Sequence, residues 1–238
     1  MKKLFKRLAV TVVTLVLLTA CSNEGKYEVK NGTVYHTYWT FSFGTQEKEL
    51  PEVDAASFES IKGWLGRDDS HVWFKDVLVP NADPATVKAK DYPLFRDKRD
   101  FYYKGKPMHV ADMEQFRIIK QSEDNFWATD GQFIYRDSMR VEGADPVTFE
   151  VIEMAHTKDK NHVYYFTRIL EGADPETYEV MGIYSKDKSH VWCFDDLIEG
   201  ADVETFEVDK DDFYDAHDKN GKFHNGKRVE HQTSKHSK

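Results

Sequence analysis

Cysteine is nearly absent: the chain of 238 residues has two, Cys21 and Cys193. Two cysteines cannot build the disulfide framework of a small secreted domain, so an apolar core must hold the fold. Basic residues are in deficit, 33 Lys and Arg against 42 Asp and Glu, for a net charge of −9. That balance argues against nucleic acid as a partner, because such binding rests on Lys and Arg meeting phosphates. Long apolar runs are missing apart from residues 8–18, which are interrupted only by Thr11 and Thr14. This run falls short of the roughly 20 residues that a membrane-spanning helix needs. The sequence also lacks a Gly-rich phosphate loop, a metalloprotease His pair and a Ser in a nucleophile elbow. It implies no cofactor and no catalytic residue.

What is present is a repeat. Asp54, Asp83, Asp112, Asp145, Asp174 and Asp202 follow one another at intervals of 29, 29, 33, 29 and 28 residues. Four residues after each stands an apolar side chain: Phe58, Val87, Phe116, Phe149, Tyr178 and Phe206. A period of this size marks one small unit that cannot bury a core alone and must stack on its neighbours. The unit from Lys158 to Met181 shows the script. Asp159, Lys160 and Asn161 are turn formers. Val163, Tyr164, Tyr165 and Phe166 suit a strand, and Ile169 and Leu170 suit a returning one. Gly172 supplies positive φ, Asp174 caps the amides of a helical turn, and Pro175 is pre-set to follow a cap. The expected fold is all-β: tandem repeats of about 29 residues, each with two or three short strands and one helical turn, stacked as an open array. A closed propeller-like ring is the alternative; the period is short for a usual four-stranded blade. The six aspartates are expected to be structural caps. The unit opening at Asn31 is enlarged around Trp39 to Lys48, and the one opening at Asp218 is expected to remain unfinished.

The N-terminus carries an address. Lys2, Lys3, Lys6 and Arg7 precede the apolar run, and Leu18, Thr19, Ala20 and Cys21 close it. Positive flank, short apolar core and small residues before the cut describe a secretory signal. The last four residues resemble a bacterial lipobox. The resemblance implies a signal peptide over 1–20, acylation of Cys21 and a lipid bilayer as one partner. Ser22 is similar to the sorting signal for the outer membrane of Gram-negative bacteria. Residues 21–27 then serve as a tether, 28–230 as the repeat domain and 231–238 as a disordered tail. Removing Lys2, Lys3, Lys6 and Arg7 takes the net charge from −9 to −13. A chain so acidic should not lie flat on an anionic lipid surface.

The recurrent Asp-Lys-Asn followed by paired aromatics, as at Asp159, Lys160, Asn161, Tyr164 and Tyr165, resembles the DKNYY family of bacterial repeat proteins. That resemblance supports the repeat and lends almost nothing to an activity.

Other chemistry is weaker than the scaffold that contains it. His71, His162 and His190 are equivalent in three units, but no carboxylate or thiolate recurs at an offset that completes a metal shell. Asp159 and Asn161, or Asp218 and Asn220, match the first ligand spacing of a calcium loop; a strand begins at once, and turn chemistry accounts for them. Cys193 stands where other units have Tyr103 and Tyr165, which assigns it to the core. Trp39 and Trp64 fall outside the repeat positions and are the interface candidates, with core packing as the competing role. The expected function is a membrane-anchored envelope lipoprotein, a non-enzymatic repeat scaffold for an unidentified protein partner, in one version an immunity protein against a delivered toxin. The alternatives are an envelope protein that binds or hydrolyses cell-wall glycan or a small ligand, and a plain spacer.

Overall fold

A computed structural model describes residues 25–50, 52–123 and 125–229. The signal segment 1–20, the acylation residue Cys21 and the tail 231–238 lie outside the described residues. Among those residues the chain forms seven antiparallel sheets and no helix. The first sheet has three strands, β1 (Lys26–Lys30), β2 (Thr33–Thr40) and β3 (Gly44–Glu49). It begins inside the stretch assigned to the tether. The second has four, β4 (Glu59–Lys62), β5 (Leu65–Arg67), β6 (Val72–Phe74) and β7 (Val77–Leu78). Five further sheets, spanning 88–107, 117–141, 150–169, 179–197 and 207–228, repeat this four-stranded meander. The protein is an open array of β-repeats laid down in chain order, with no sheet closed on itself.

Two expectations need correction. Each unit after the first sheet has four strands instead of two or three, because the outer ones shrink to as little as two residues, as at Val77–Leu78 and Glu150–Val151. Pairs that short leave no alternation to read. The turn at Asp218 also does not open a unit of its own: it lies inside the sheet that begins at Glu207, of which Lys227–Arg228 is the fourth strand.

The fifth sheet shows how sequence becomes structure. His156–Lys158 pairs with Val163–Tyr165, and the Asp159–His162 connection closes with the Asp159 amide donating to the His162 carbonyl at 2.9 Å. Tyr165 then faces Arg168 across a two-residue turn, and Phe166 at its head has φ of 53°. The same left-handed setting recurs at Lys75, Lys104, Asp137, Phe194 and Asn225. After Leu170, Gly172 takes φ of 79° and the chain makes a single turn in which the Thr177 amide reaches the Asp174 carbonyl at 3.3 Å. Tyr178 then drops into the interior, 8% exposed.

Four-stranded sheets of two- to five-residue strands are too small to stand alone. Their apolar side chains meet between sheets. Val34 and Leu50 of the first sheet pack with Trp73 of the second. Trp64 and Phe74 pack with Phe95 and Tyr102 of the third, and Leu94 and Phe101 with Phe126 and Tyr135 of the fourth. Trp127 and Ile134 meet Tyr164 of the fifth, Val163 meets Tyr178 and Trp192 of the sixth unit, and Tyr184 meets Phe206 and Phe223 of the last. Each seam buries several large side chains, worth roughly 1.5–3 kcal/mol apiece. No seam exists until its neighbour is present, which ties folding of one unit to the next.

Candidate functional surfaces

The repeated aspartates form a second set that the 29-residue rhythm hides. Asp68, Asp97, Asp130, Asp159, Asp187 and Asp218 open the turn before the third strand of each four-stranded sheet, and all are buried. In the fifth sheet Asp159 Oδ1 accepts the Asn161 and His162 amides at 2.7 and 2.8 Å. Its Oδ2 accepts the Asp145 amide at 2.9 Å and the Tyr164 hydroxyl at 2.8 Å. One carboxylate thus fixes its own turn, the preceding cap and a core tyrosine. Asp97 and Asp130 repeat the tyrosine contact through Tyr102 and Tyr135. Asp68 and Asp187 keep the amide contacts but have Trp73 and Trp192 where the tyrosine would be. In the first four-stranded sheet the turn carboxylate is Asp68, which accepts the Ser70 and His71 amides, and not its neighbour Asp69. Burial pushes the carboxyls of Asp68, Asp130, Asp159 and Asp187 up; the converging amides outweigh it and hold them below the usual range.

The first set sits where a cap belongs. Asp54, Asp83, Asp145 and Asp174 each accept the amide two residues on, at 2.8–3.0 Å. Asp112 accepts the Glu114 and Gln115 amides, and Asp202 accepts the amide and hydroxyl of Thr205. Lys98, Lys160 and Lys219 reach Asp83, Asp145 and Asp202 at 2.5–2.6 Å, and Lys188 reaches Asp174. The lysine is the second residue of the Asp-Lys-Asn motif. Asp69 and Gly131 replace it in the units of Asp54 and Asp112. A third position went unread: the hydroxyls of Thr86, Thr148, Thr177 and Thr205 accept the amides of those same lysines. Cap, turn aspartate, lysine and threonine make one polar clamp in each of the units of Asp83, Asp145, Asp174 and Asp202.

The motif's acceptors are thereby occupied by the backbone. His71, His162 and His190 are half-exposed beside Trp73, Tyr164 and Trp192, with Nδ1 3.4–3.9 Å from a turn carboxylate. Among the described residues no group of three or more His, Cys, Asp or Glu side chains is placed to hold a metal ion. Cys193 is buried among Tyr184, Ile198 and Phe206, and burial, with Asp196 adding to it, pushes its thiol up to about 11. That is the reverse of an activated thiolate. A depression of about 610 Å³ opens on the last sheet, with Asp215 paired to His224 at 2.6 Å in its wall.

The two tryptophans chosen as interface candidates part company. Trp64 is 2% exposed, packed on Phe74, Tyr92 and Phe95. It does occupy a repeat position, since its carbonyl accepts the Lys75 amide as the Ala155 carbonyl accepts that of Phe166. Its large ring in a place held elsewhere by Ala155, Ile183 and Pro93 concealed the equivalence. Trp39 is 48% exposed near the tip of the β2–β3 hairpin, where Phe41 and Phe43 are 93% and 78% exposed. A second exposed group lies along the left-handed turns: Phe166 and Phe194, each 40% exposed, stand at equivalent positions of adjacent units. Arg136 lies over the Phe166 ring at 4.6 Å. Phe166 directly follows the strand Val163–Tyr165 and stands at the left-handed turn position, whereas the three aromatics Phe101, Tyr102 and Tyr103 lie within one strand and are all buried.

The sequence model of the DKNYY family matches residues 27–168 and 155–227. No curated protein and no solved structure matches the chain.

Proposed function

The chain belongs to the DKNYY family, and from that premise we propose that it is an envelope lipoprotein, held to the membrane through acylated Cys21, whose repeat array binds another protein without chemistry of its own. The observation that carries this reading is the division of labour among its side chains. The recurrent carboxylates are occupied by backbone amides and lysines within each unit. The aromatics Phe166 and Phe194 instead project from rigid turns of neighbouring units. Aromatic anchors on a preorganised surface are what protein interfaces use most. One version is an immunity protein that blocks a toxin delivered by a competitor.

In-cell crosslinking followed by recovery of the acylated protein tests the reading. The expected result is a discrete protein partner that is lost in a Phe166→Ser, Phe194→Ser variant and retained in wild type. Equal recovery from both, or no partner at all, would reject the binding surface. Intact mass of the membrane-extracted chain tests the anchor separately, and an unacylated Cys21 would reject that part. For the immunity version, a deletion strain should become sensitive to toxin-producing neighbours. The depression beside Asp215 and His224 favours one rival, a glycan or small-ligand site; saturable binding of peptidoglycan fragments that Asp215→Asn abolishes would establish it instead.

A further inference from the structure

The first sheet ends in a feature that the other six lack. From Asn31 to Gln46 the sequence has no Asp, Glu, Lys or Arg, in a chain that is 32% charged. This run forms β2, the tip and the start of β3. Val34 and Leu50 at the base of the hairpin are buried against Trp73. The opposite end carries Trp39, Phe41 and Phe43. The tip is ordered by its own hydrogen bonds: Thr40 Oγ1 accepts the Phe43 amide at 3.2 Å, and Gln46 Nε2 donates to the Phe43 carbonyl at 2.8 Å. Gly44 closes it at φ of 67°.

The register of β1 decides what this tip faces. Lys26 pairs with Thr37 and Lys30 with Thr33, so the chain enters the first sheet at the same end as the aromatic tip. Phe41 lies four residues beyond Thr37, about 13 Å at strand rise. Cys21 lies five residues before Lys26, a reach of up to roughly 17 Å. An anchor on Cys21 therefore leaves the tip within reach of the lipid headgroups. Trp settles at the boundary between headgroups and acyl chains, and Phe adds apolar contact there. The absence of charge removes the main cost of entering that zone. The acidity of the rest of the array disfavours lying flat on anionic lipid, which leaves an end-on contact.

We infer that the β2–β3 tip inserts Trp39, Phe41 and Phe43 into the bilayer surface beside the lipid anchor, so that the array stands away from the membrane in a fixed orientation. The inference rests on the anchored reading above. Trp39 reports on it directly, because Trp64, Trp73, Trp127 and Trp192 are all buried. The full chain is expressed, extracted from membranes and reconstituted in vesicles of phosphatidylethanolamine and phosphatidylglycerol, with and without brominated acyl chains. Intact mass scores acylation independently. The expected result is a blue shift and bromine quenching of Trp39 emission, absent in Trp39→Phe and lost in Phe41→Ser, Phe43→Ser although that variant remains vesicle-bound. Acylated, vesicle-bound protein with unshifted and unquenched Trp39 emission overturns the inference and reassigns the tip to a protein contact. If the mass shows no acylation, the anchored reading fails by itself. The Cys21 thiol is then coupled to a maleimide lipid and the same quenching decides the tip; Cys193 is shielded from the coupling by burial.

Discussion

Replacing Asp159 by asparagine keeps size and shape and removes one acceptor. The wild-type carboxylate receives four donors, two on each oxygen: Asn161 and His162 on one, Asp145 and Tyr164 on the other. An amide must turn its NH2 toward one of these pairs. Facing Asp145 and Tyr164 is the better choice, because the tyrosine hydroxyl can rotate and accept. The Asp145 amide is then left buried against a donor, at about 1–3 kcal/mol. Loss of charge from the bonds that survive adds roughly 1 kcal/mol. The sum is about 3 kcal/mol, a hundredfold in the folding equilibrium of that unit. Tyr164→Phe, by contrast, removes one donor and leaves three. Asp68 and Asp187 are organised without a tyrosine partner, so that change should cost only about 1 kcal/mol. Urea unfolding of the full chain, followed by far-UV circular dichroism, separates the two. The fifth sheet is flanked by units on both sides, so Asp159→Asn should also broaden the transition as those neighbours uncouple. An Asp159→Asn midpoint no lower than that of Tyr164→Phe would refute the claim that the buried carboxylate organises the unit.

Three further outcomes follow from the same geometry. Lowering the pH should destabilise the protein in two stages. His156 is buried and bonded to the Tyr178 hydroxyl at 2.8 Å. Burial holds its pKa below the ordinary value, only partly opposed by Glu153. The unfolded imidazole takes its proton first, so this contribution is complete above about pH 6.5 and is lost as pH falls toward the lowered folded value. The lowered carboxyls of Asp68, Asp130, Asp159 and Asp187 contribute fully above about pH 4 and are lost as pH falls through their folded values. Thermal melts between pH 8 and 2 check both stages, and His156→Gln should erase the first alone. Gly226→Ala would place Cβ 2.5 Å from Cys193 Cβ at φ of 74°, which should cost roughly 2–4 kcal/mol through strain and overpacking. Gly143→Ala, at φ of 77° in open space, should cost only about 1 kcal/mol, and paired urea melts compare them. Cys193 should resist iodoacetamide at pH 8 in the native chain and react once urea unfolds its unit, as intact mass will show.

The architecture was legible wherever one side chain kept one job in every unit. The cap aspartates and the apolar residue four places on did so, which fixed the period and the stacked-repeat architecture. The turn aspartates were legible as turn formers but not as buried anchors, because their contact with the cap amide spans 13 to 16 residues of sequence, and that of Asp130 with the Ala111 amide spans 19. The same distance hid Asp68, whose neighbour Asp69 looks equally suited to the role. Strand number failed because two-residue strands are defined by pairing partners, not by their own side chains. Trp64 was misplaced because size is a poor guide to position when a seam can accept Ala, Ile, Pro or Trp. The exposed tip residues Phe41 and Phe43 were overlooked inside a segment set aside as an enlargement; its lack of charge was the available signal.

The carboxylate clamp closes within a single unit, while the aromatic seams join one unit to the next. An additional unit could therefore be spliced between two existing ones without breaking any clamp, and only two new seams would have to fit. Length in this scaffold can change by whole units, moving whatever sits at the far end by a set increment while the end that meets the tether stays as it is.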